Sequence, residues 1–257
     1  DYRQTVRNAS RKARRNNTLP AAPRRDLELE TLAQILNEER FVTCHSYRQD
    51  EINMLMHVAD SMGFTINTFT HILEGYKVAD KMAEHGAGGS SFSDWWAYKF
   101  EVKDAIPYNG AVLHGQGIVT AFNSDDAEMA RRLNQEAAKA VKYGGVSEEE
   151  ALKFVTLNPA KLLRIDHRVG SIAVGKDADI VLWDDHPLSV YARAEKTYVD
   201  GTKYYDLEED ATKREWMRGE RARLVQAMKA AAKGGERTPS ERMHSHYHCD
   251  TLTDENR

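Results

Sequence analysis

Two histidines and an aspartate occupy positions in the sequence from which hydrolytic chemistry can be assembled. His45 and His71 each close a short apolar run, and Asp125 follows a third run that ends at Phe122. Imidazole and carboxylate groups bind divalent metals, and a bound metal lowers the pKa of its water to about 7 and polarises a carbonyl. Separations of 26 and 54 residues favour ligands from different strands over a compact zinc finger. Taken singly, each histidine is more simply explained as a polar residue near a strand end.

The elements that must position these residues alternate along the chain from Leu27 to Ser124. Apolar periodicity predicts helices over 27–36, 50–62, 75–85 and 105–116, and strands over 40–45, 64–71, 87–93 and 117–124. Unbroken alternation indicates a parallel sheet covered by helices, either open or closed into a barrel. Polar residues recur at the carboxyl ends of the strands, where (β/α)₈ barrels carry their chemistry, so a barrel is favoured. The four predicted units account for about half of the eight strands in such a barrel.

The sequence after Asp125 predicts a helix capped by Ser124 and ended at Gly144 and Gly145. Ser147 to Glu150 form a capping box for the helix that follows. Residues 169–183 are predicted to form a hairpin of alternating strands joined by a Gly-Lys-Asp turn, and residues 206–233 a further helix.

Together these features resemble the C-terminal half of the metal-dependent amidohydrolases, and the sequence of these segments is most similar to that of the imidazolonepropionase-like members. The resemblance spans about residues 27–206 and depends most on the segment 169–183. It implies an α/β fold: the C-terminal half of a (β/α)₈ barrel, part of a small β-sandwich domain and a C-terminal helix. The implied organisation is a basic lead-in (1–26), a partial barrel with strands five to eight (27–166), a sandwich segment (167–205), and a helix with a mobile tail (206–257).

The resemblance also implies roles for the three residues. His45 and His71 match the metal-binding histidines after the fifth and sixth strands. Asp125 matches the aspartate after the eighth strand, which binds metal and shuttles a proton, and Asp126 is the nearest alternative assignment. The expected cofactor is a divalent metal, with zinc favoured and one or two ions left open. The His-x-His pair of the first strand and the bridging lysine or glutamate of the fourth belong to the front half, which this chain lacks.

Three residues in the loops after the strands could bind a substrate. Tyr47 and Arg48 follow His45, and a guanidinium there could hold a carboxylate through two hydrogen bonds; a surface arginine is the equal alternative. Trp95 follows the seventh-strand candidate, where it could form the wall of a pocket or fix its loop to the core.

The resemblance implies hydrolysis of a C–N bond in a cyclic amide or in an N-acyl or dipeptide-like substrate. Activity would require the missing N-terminal half, supplied by the same gene product or by a separate chain, and a homo-oligomer is expected. The alternatives are a dipeptidase, a non-catalytic half-barrel that associates with a partner, and a nucleic-acid-binding protein that uses the basic residues of 1–25.

Composition limits these alternatives. A net charge of −4 in 257 residues argues against general affinity for nucleic acids. No apolar run approaches the roughly 18–20 residues that a membrane span requires. Two cysteines are too few for a disulfide framework, and the compartment, periplasmic or cytoplasmic, stays open. A histidine-rich segment, residues 243–250, could bind metal adventitiously, although a mobile tail is favoured.

Overall fold

The computed structural model describes residues 2–15, 25–95 and 97–235. The chain divides into two compact units, residues 1–204 and residues 205–257. The α-helices of the first unit are α1 (Tyr2–Arg15), α2 (Leu27–Leu36), α3 (Gln49–Met62), α4 (Ala79–His85), α5 (Asn109–Gly115), α6 (Ala127–Ala130), α7 (Leu133–Gly144), α8 (Glu148–Lys153) and α9 (Leu157–Leu162). The strands are β1 (Val42–His45), β2 (Ile66–Thr70), β3 (Gly88–Ser91), β4 (Thr120–Phe122), β5 (Ile180–Trp183), β6 (Ala194–Val199) and β7 (Thr202–Asp206). Helix α10 (Leu207–Lys233) belongs to the second unit.

The first four strands form one parallel sheet in the order β1-β2-β3-β4. Each strand is connected to the next through at least one helix, as the alternation in the sequence predicts. Side chains from the helices and the sheet form a buried core, among them Ile52, Met56, Phe69, Met82 and Leu113. The predicted α/β fold with a parallel sheet is therefore confirmed.

Strand β3 consists of small residues because both of its faces are crowded. A Cβ atom at Gly88 would lie 2.2 Å from Cδ2 of Leu162, and one at Gly89 would lie 2.9 Å from Cδ1 of Ile72. Neither position has room for a larger side chain without displacing its neighbour. Gly88 thus allows helix α9 to pack closely against the sheet, and Gly89 makes room for Ile72.

The helix after β4 begins later than the sequence predicts. Asp126, not Ser124, caps it: the Asp126 carboxylate accepts hydrogen bonds from the backbone N–H groups of Glu128 and Met129, both at 2.9 Å. Asp125 has a left-handed backbone (φ 49°), which delays the start of the helix by two residues. The single predicted helix is also divided, because Arg131 and Arg132 separate α6 from α7.

The hairpin predicted for residues 169–183 is wrong. Residues 169–179 contain bends and one turn, at Val174 and Gly175, but no strand, and β5 pairs with β6 in an antiparallel manner. Local polar contacts hold the turn segment: the Asp177 N–H donates to the Arg168 carbonyl at 2.8 Å, and Lys176 Nζ donates to Ser171 Oγ at 2.7 Å. Strands β5, β6 and β7 form the second sheet, in that order.

Helix α10 matches the prediction of a helix over 206–233. The Asp206 side chain accepts hydrogen bonds from the N–H groups of Glu208 and Glu209, and so caps the helix. No helix in the described ranges combines the length and apolar character that crossing a bilayer requires. The histidine-rich segment 243–250 lies outside the described residues, as do residues 16–24 of the basic lead-in.

Candidate active site

The carboxyl ends of β1 to β4 lie along one edge of the parallel sheet, which collects the predicted site residues. His45 is the last residue of β1 and is opposite Thr70 of β2. His71 follows Thr70 directly, and Asp125 follows β4 by three residues. This edge is where parallel α/β sheets bind their ligands.

His45 and His71 are in direct contact. Nδ1 of His45 lies 2.7 Å from Nε2 of His71, and the two ring centroids are 4.7 Å apart at an interplanar angle of 62°. His45 is exposed, whereas His71 is 5% exposed. The structure therefore brings together the two predicted metal ligands, which are 26 residues apart in the sequence.

Two of the predicted site residues have unusual backbone conformations. His71 (φ 48°) and Asp125 (φ 49°) both lie in the left-handed region, which non-glycine residues rarely occupy. Both occur at the junction of a strand with the following loop, where backbone strain is often retained for function.

A metal fits the chemistry of the histidine pair, which supplies part of a ligand set. Two imidazoles suit zinc, but zinc holds two ligand nitrogens about 3.3 Å apart, and the observed 2.7 Å is a hydrogen-bond distance. In the described part of the chain, no group of three His, Cys, Asp or Glu side chains could hold an ion. Asp125 is exposed and does not join the histidines in such a group.

Aromatic rings surround His71. Tyr47 stacks on the imidazole at a centroid distance of 4.4 Å, and Phe92 lies parallel to it at 6.2 Å. Trp95 stacks on Phe92 at 4.6 Å and packs against a buried cluster that includes Phe92. Of the three predicted substrate-binding residues, Tyr47 is therefore in contact with the histidine pair, whereas Trp95 is one ring further away.

Arg48 is held by a neighbouring carboxylate. Its Nε and Nη2 atoms lie 3.1 and 3.0 Å from the two oxygens of Asp50, and both side chains are exposed. The Nε and Nη2 atoms of Arg48 thus bind Asp50 in this structure, and the predicted binding of a substrate carboxylate by Arg48 stays a prediction.

A charged cluster at the start of the loop after β3 is absent from the sequence-based prediction. Lys139 Nζ lies 2.8 Å from a carboxylate oxygen of Asp94 and 2.8 Å from one of Glu136. The Ser93 hydroxyl donates to Glu136, whose side chain is 2% exposed. Burial alone would lower the Lys139 pKa, but the hydrogen bonds to Asp94 and Glu136 raise it overall. The i,i+3 spacing of Glu136 and Lys139 was the available signal, although exposed helix faces show the same spacing.

Two further polar groups complete the environment of this edge. Burial, followed by the charge of Glu51, raises the pKa of the Cys44 thiol, which favours its unreactive protonated form. The amide oxygen and nitrogen of Asn123 are both buried and have no hydrogen-bond partner among the described residues. A buried amide of this kind is costly unless a further group supplies its hydrogen bonds.

The sequence of the chain is similar to those of several known proteins. The sequence profile of the amidohydrolase family matches residues 53–213. Amidohydrolase tasK of Hapsidospora irregularis is 32% identical over 186 residues, which are 70% of this chain and 19% of that protein. The urease subunit alpha of Yersinia pestis (strain Pestoides F) is 38% identical over 91 residues, which are 28% of this chain and 16% of that protein.

Solved structures show the same similarity. An amidohydrolase from Thermotoga maritima MSB8 has a TM-score of 0.65 and 30% identity, covering 80% of this chain and 54% of that one. An adenosine deaminase from Xanthomonas campestris with bound zinc has a TM-score of 0.52 at 18% identity, covering 76% of this chain and 54% of that one. The chain thus spans about a fifth of the tasK protein and about half of each of these two structures.

A parallel α/β sheet with paired imidazoles at its carboxyl edge defines a class of protein in which ligands bind where the strands end. Within that class, the chain belongs to the amidohydrolase family. The amidohydrolase family is generally metal-dependent, in agreement with the expectation of a divalent metal.

Proposed function

We propose that this chain carries one side of the active site of a metal-dependent hydrolase that cleaves C–N bonds in amides. The contact between His45 and His71 carries the proposal, because it places two metal-binding groups at the carboxyl edge of a parallel sheet. In this proposal, β1 to β4 are the last four strands of a (β/α)₈ barrel, and β5 to β7 belong to a β-sandwich domain. A barrel of this type needs eight strands, so the first four come from an N-terminal half outside this chain.

The proposed roles follow from the chemistry of each residue. His45 and His71 would hold a divalent ion, with zinc favoured, and the remaining ligands would come from Asp125 and the N-terminal half. Bound there, the ion would make water more acidic and polarise the amide carbonyl. Asp125 would accept the proton of the attacking water and return it to the leaving nitrogen. A cyclic amide, an N-acyl amino acid and a dipeptide are the proposed substrate classes.

An association role is the second candidate, and exposed apolar side chains favour it. On α3, Met54, Val58 and Met62 are 63%, 44% and 64% exposed and follow one another at intervals of four residues. Such spacing places them on one face of the helix. A non-catalytic half-barrel would use this face to bind its partner.

Zinc binding by this chain tests the first proposal. The variants His45→Ala and His71→Asn each remove one imidazole, and asparagine tolerates the left-handed backbone at position 71. His57→Ala is the matched control, because His57 is an exposed histidine on α3. Isothermal titration with zinc should show affinity at least tenfold weaker in both site variants and unchanged in the control. All four proteins carry His244→Ala, His246→Ala and His248→Ala, so that the histidine-rich segment cannot dominate the titration. Equal affinity in all four would then refute the metal site.

Reconstitution of the barrel distinguishes the proposed hydrolase from the association role. Mixing the chain with a polypeptide that carries the first four strands should yield an equimolar complex by native mass spectrometry. A complex that binds zinc and hydrolyses amides supports the hydrolase, and loss of hydrolysis in Asp125→Asn with zinc retained supports the role of Asp125. A stable complex with neither property supports the association role.

A further inference from the structure

Glu74 joins the loop that carries His71 to the loop that carries His45. Its backbone N–H donates to the Tyr47 carbonyl at 3.1 Å, and its carboxylate accepts a hydrogen bond from the Gln49 N–H at 3.0 Å. Glu74 lies three residues after His71 in the sequence, and its two partners lie two and four residues after His45. The two loops are therefore fastened to each other just beyond the two imidazoles.

The strands themselves end before these two hydrogen bonds. Strand β1 ends at His45 and β2 at Thr70, and the Ser46 N–H still donates to the Thr70 carbonyl at 3.3 Å. His71 comes next and has a left-handed backbone (φ 48°), so the chain leaves the direction of the strand there. A conformation of this kind persists only where neighbouring contacts hold it. The position of His71 therefore depends on the contacts of the loop that follows it.

The Glu74 carboxylate also replaces a cap that helix α3 lacks. Gln49 is the first residue of α3, and the side chain of Arg48 before it makes no capping hydrogen bond. The first N–H groups of a helix need acceptors from outside the helix. Serine or aspartate at position 48 would supply one locally, whereas here the acceptor comes from the neighbouring loop. One hydrogen bond thus caps α3 and joins the two loops.

Burial and charge strengthen this contact. The Glu74 side chain is 8% exposed, and Lys77 Nζ lies 3.5 Å from the same oxygen that accepts the Gln49 N–H. Lys77 also binds Asp104 at 2.7 Å, which fixes the ammonium beside Glu74. A buried carboxylate requires such partners. Because its acceptor is charged, the hydrogen bond between the loops is stronger than one between neutral groups.

We propose that Glu74 is a positioning residue that holds His71 at His45, so that one ion can reach both imidazoles. The inference rests on the proposed hydrolase for the role of the ion, whereas the positioning of the histidine pair can be measured on this chain without metal. Zinc requires the two nitrogens to separate from 2.7 Å to about 3.3 Å. If the loops are fixed, small rotations of the two rings supply this change. If they are not, zinc binding must also order the loops, which weakens it.

Two substitutions remove the same hydrogen bond from opposite sides. Glu74→Leu removes the acceptor, and Gln49→Pro removes the donor N–H at the first helical position, where proline is well tolerated. Glu74→Gln retains an acceptor oxygen without the charge. Glu101→Leu is the matched control, because Glu101 is an exposed carboxylate that lines the same small cavity as Glu74.

Zinc affinity is the first readout, measured by isothermal titration in the same triple-alanine background as above. Groups that hold metal ligands in place typically change metal affinity by about 10–100-fold, so Glu74→Leu and Gln49→Pro should each bind zinc more weakly by such a factor. The double variant should be no weaker than either single one, because both remove one interaction. Glu74→Gln should recover most of the affinity, and Glu101→Leu should match the native chain. Native affinity in Glu74→Leu, or an equal loss in Glu74→Gln or Glu101→Leu, would overturn the inference.

The histidine pair gives a second readout that needs no metal. Nuclear Overhauser contacts between the ring protons of His45 and His71 should be strong in the native chain and largely lost in Glu74→Leu, with circular dichroism showing that the variant is folded. If Glu74→Leu does not fold, Gln49→Pro provides the same comparison. Loss of these contacts in the variant, together with no zinc binding by the native chain, overturns the hydrolase proposal and supports the positioning role. Native ring contacts in the folded variant overturn the inference alone.

Discussion

Replacing Lys139 with methionine should destabilise the protein, because the substitution leaves a buried carboxylate without its cation. Lys139 Nζ is 2.8 Å from Glu136, whose side chain is 2% exposed, and 2.8 Å from Asp94, whose side chain is 21% exposed. Removing one partner of a buried ion pair costs about 3–5 kcal/mol. The Lys139 side chain is 29% exposed, so solvent screening reduces the expected loss to about 2 kcal/mol.

The size of this effect makes it measurable. In a chain of this length, about 2 kcal/mol corresponds to a decrease in Tm of about 4–8 °C. Urea unfolding followed by circular dichroism gives the free energy of unfolding directly. Lys142→Met on the same helix is the control, because Lys142 is exposed and its replacement should change that free energy by less than about 0.5 kcal/mol.

A second substitution tests the cause. Glu136→Gln in the Lys139→Met background removes the isolated negative charge and keeps an acceptor for the Ser93 hydroxyl. The double variant should therefore be more stable than Lys139→Met alone, as expected when a buried ion pair is replaced as a unit. A double variant that is no more stable than the single one would refute the reasoning.

The pH dependence gives a further check. The Lys139 pKa is raised above its usual 10.5, so its stabilising contribution is complete below about 10.5 and is lost as the pH rises through the raised value. The difference in unfolding free energy between native and Lys139→Met should thus be constant from pH 7 to 9 and fall at higher pH. A difference that has already vanished at pH 8 would contradict this assignment.

Four further substitutions have defined expectations. Gly170→Ala should lower the free energy of unfolding by more than about 2 kcal/mol, because φ is 85° and the new Cβ would lie 2.8 Å from its nearest neighbour. Gly175→Ala is the control, with φ 90° and open space around the new Cβ, and should lower it by about 1 kcal/mol in the same urea assay. His85→Ala removes the acceptor of the Ile66 N–H, whose nitrogen lies 3.0 Å from His85 Nε2. The variant should lower the free energy of unfolding by about 2–3 kcal/mol. A variant that unfolds at the native Tm would contradict this expectation. Asp125→Gly relieves a left-handed backbone and should change the free energy of unfolding by less than about 1 kcal/mol. The same variant should lower hydrolysis by the reconstituted complex about 10²–10⁴-fold. Undiminished hydrolysis would exclude Asp125 as the base.

Sequence periodicity predicted the strand-helix alternation well, because local apolar patterns determine which elements form. It failed over residues 169–183, where alternation of apolar and polar residues also describes an exposed turn segment. Strand β5 finds its partner in β6, beyond Trp183 and the ten residues that follow it, and no pattern within the segment indicates that pairing. The helix cap was assigned to Ser124 for a similar reason, since the left-handed conformation of Asp125 is not visible in the sequence.

The candidate site, like the fold, could be predicted from the sequence only in part. His45 and His71 could be predicted to share an edge, because they end neighbouring parallel strands, and the structure brings them into contact. The engagement of Arg48 by Asp50 is a local pairing that the sequence allows but does not require. The roles of Tyr47, Arg48, Trp95 and Asp125 in substrate binding and catalysis remain predictions.

Strand β1 carries His45 and is also an outer strand, because within the described residues it pairs with β2 alone. Outer strands fray at a lower free energy than strands held on both sides, so fraying of β1 displaces His45 from His71. A polypeptide that pairs with the free side of β1 suppresses this fraying, and an ion held by His45 and His71 suppresses it as well. Linkage requires that each tightens the binding of the other by the same factor. If His45 and His71 hold an ion as proposed, the affinity of the chain for that ion would therefore report whether the edge of its sheet is covered.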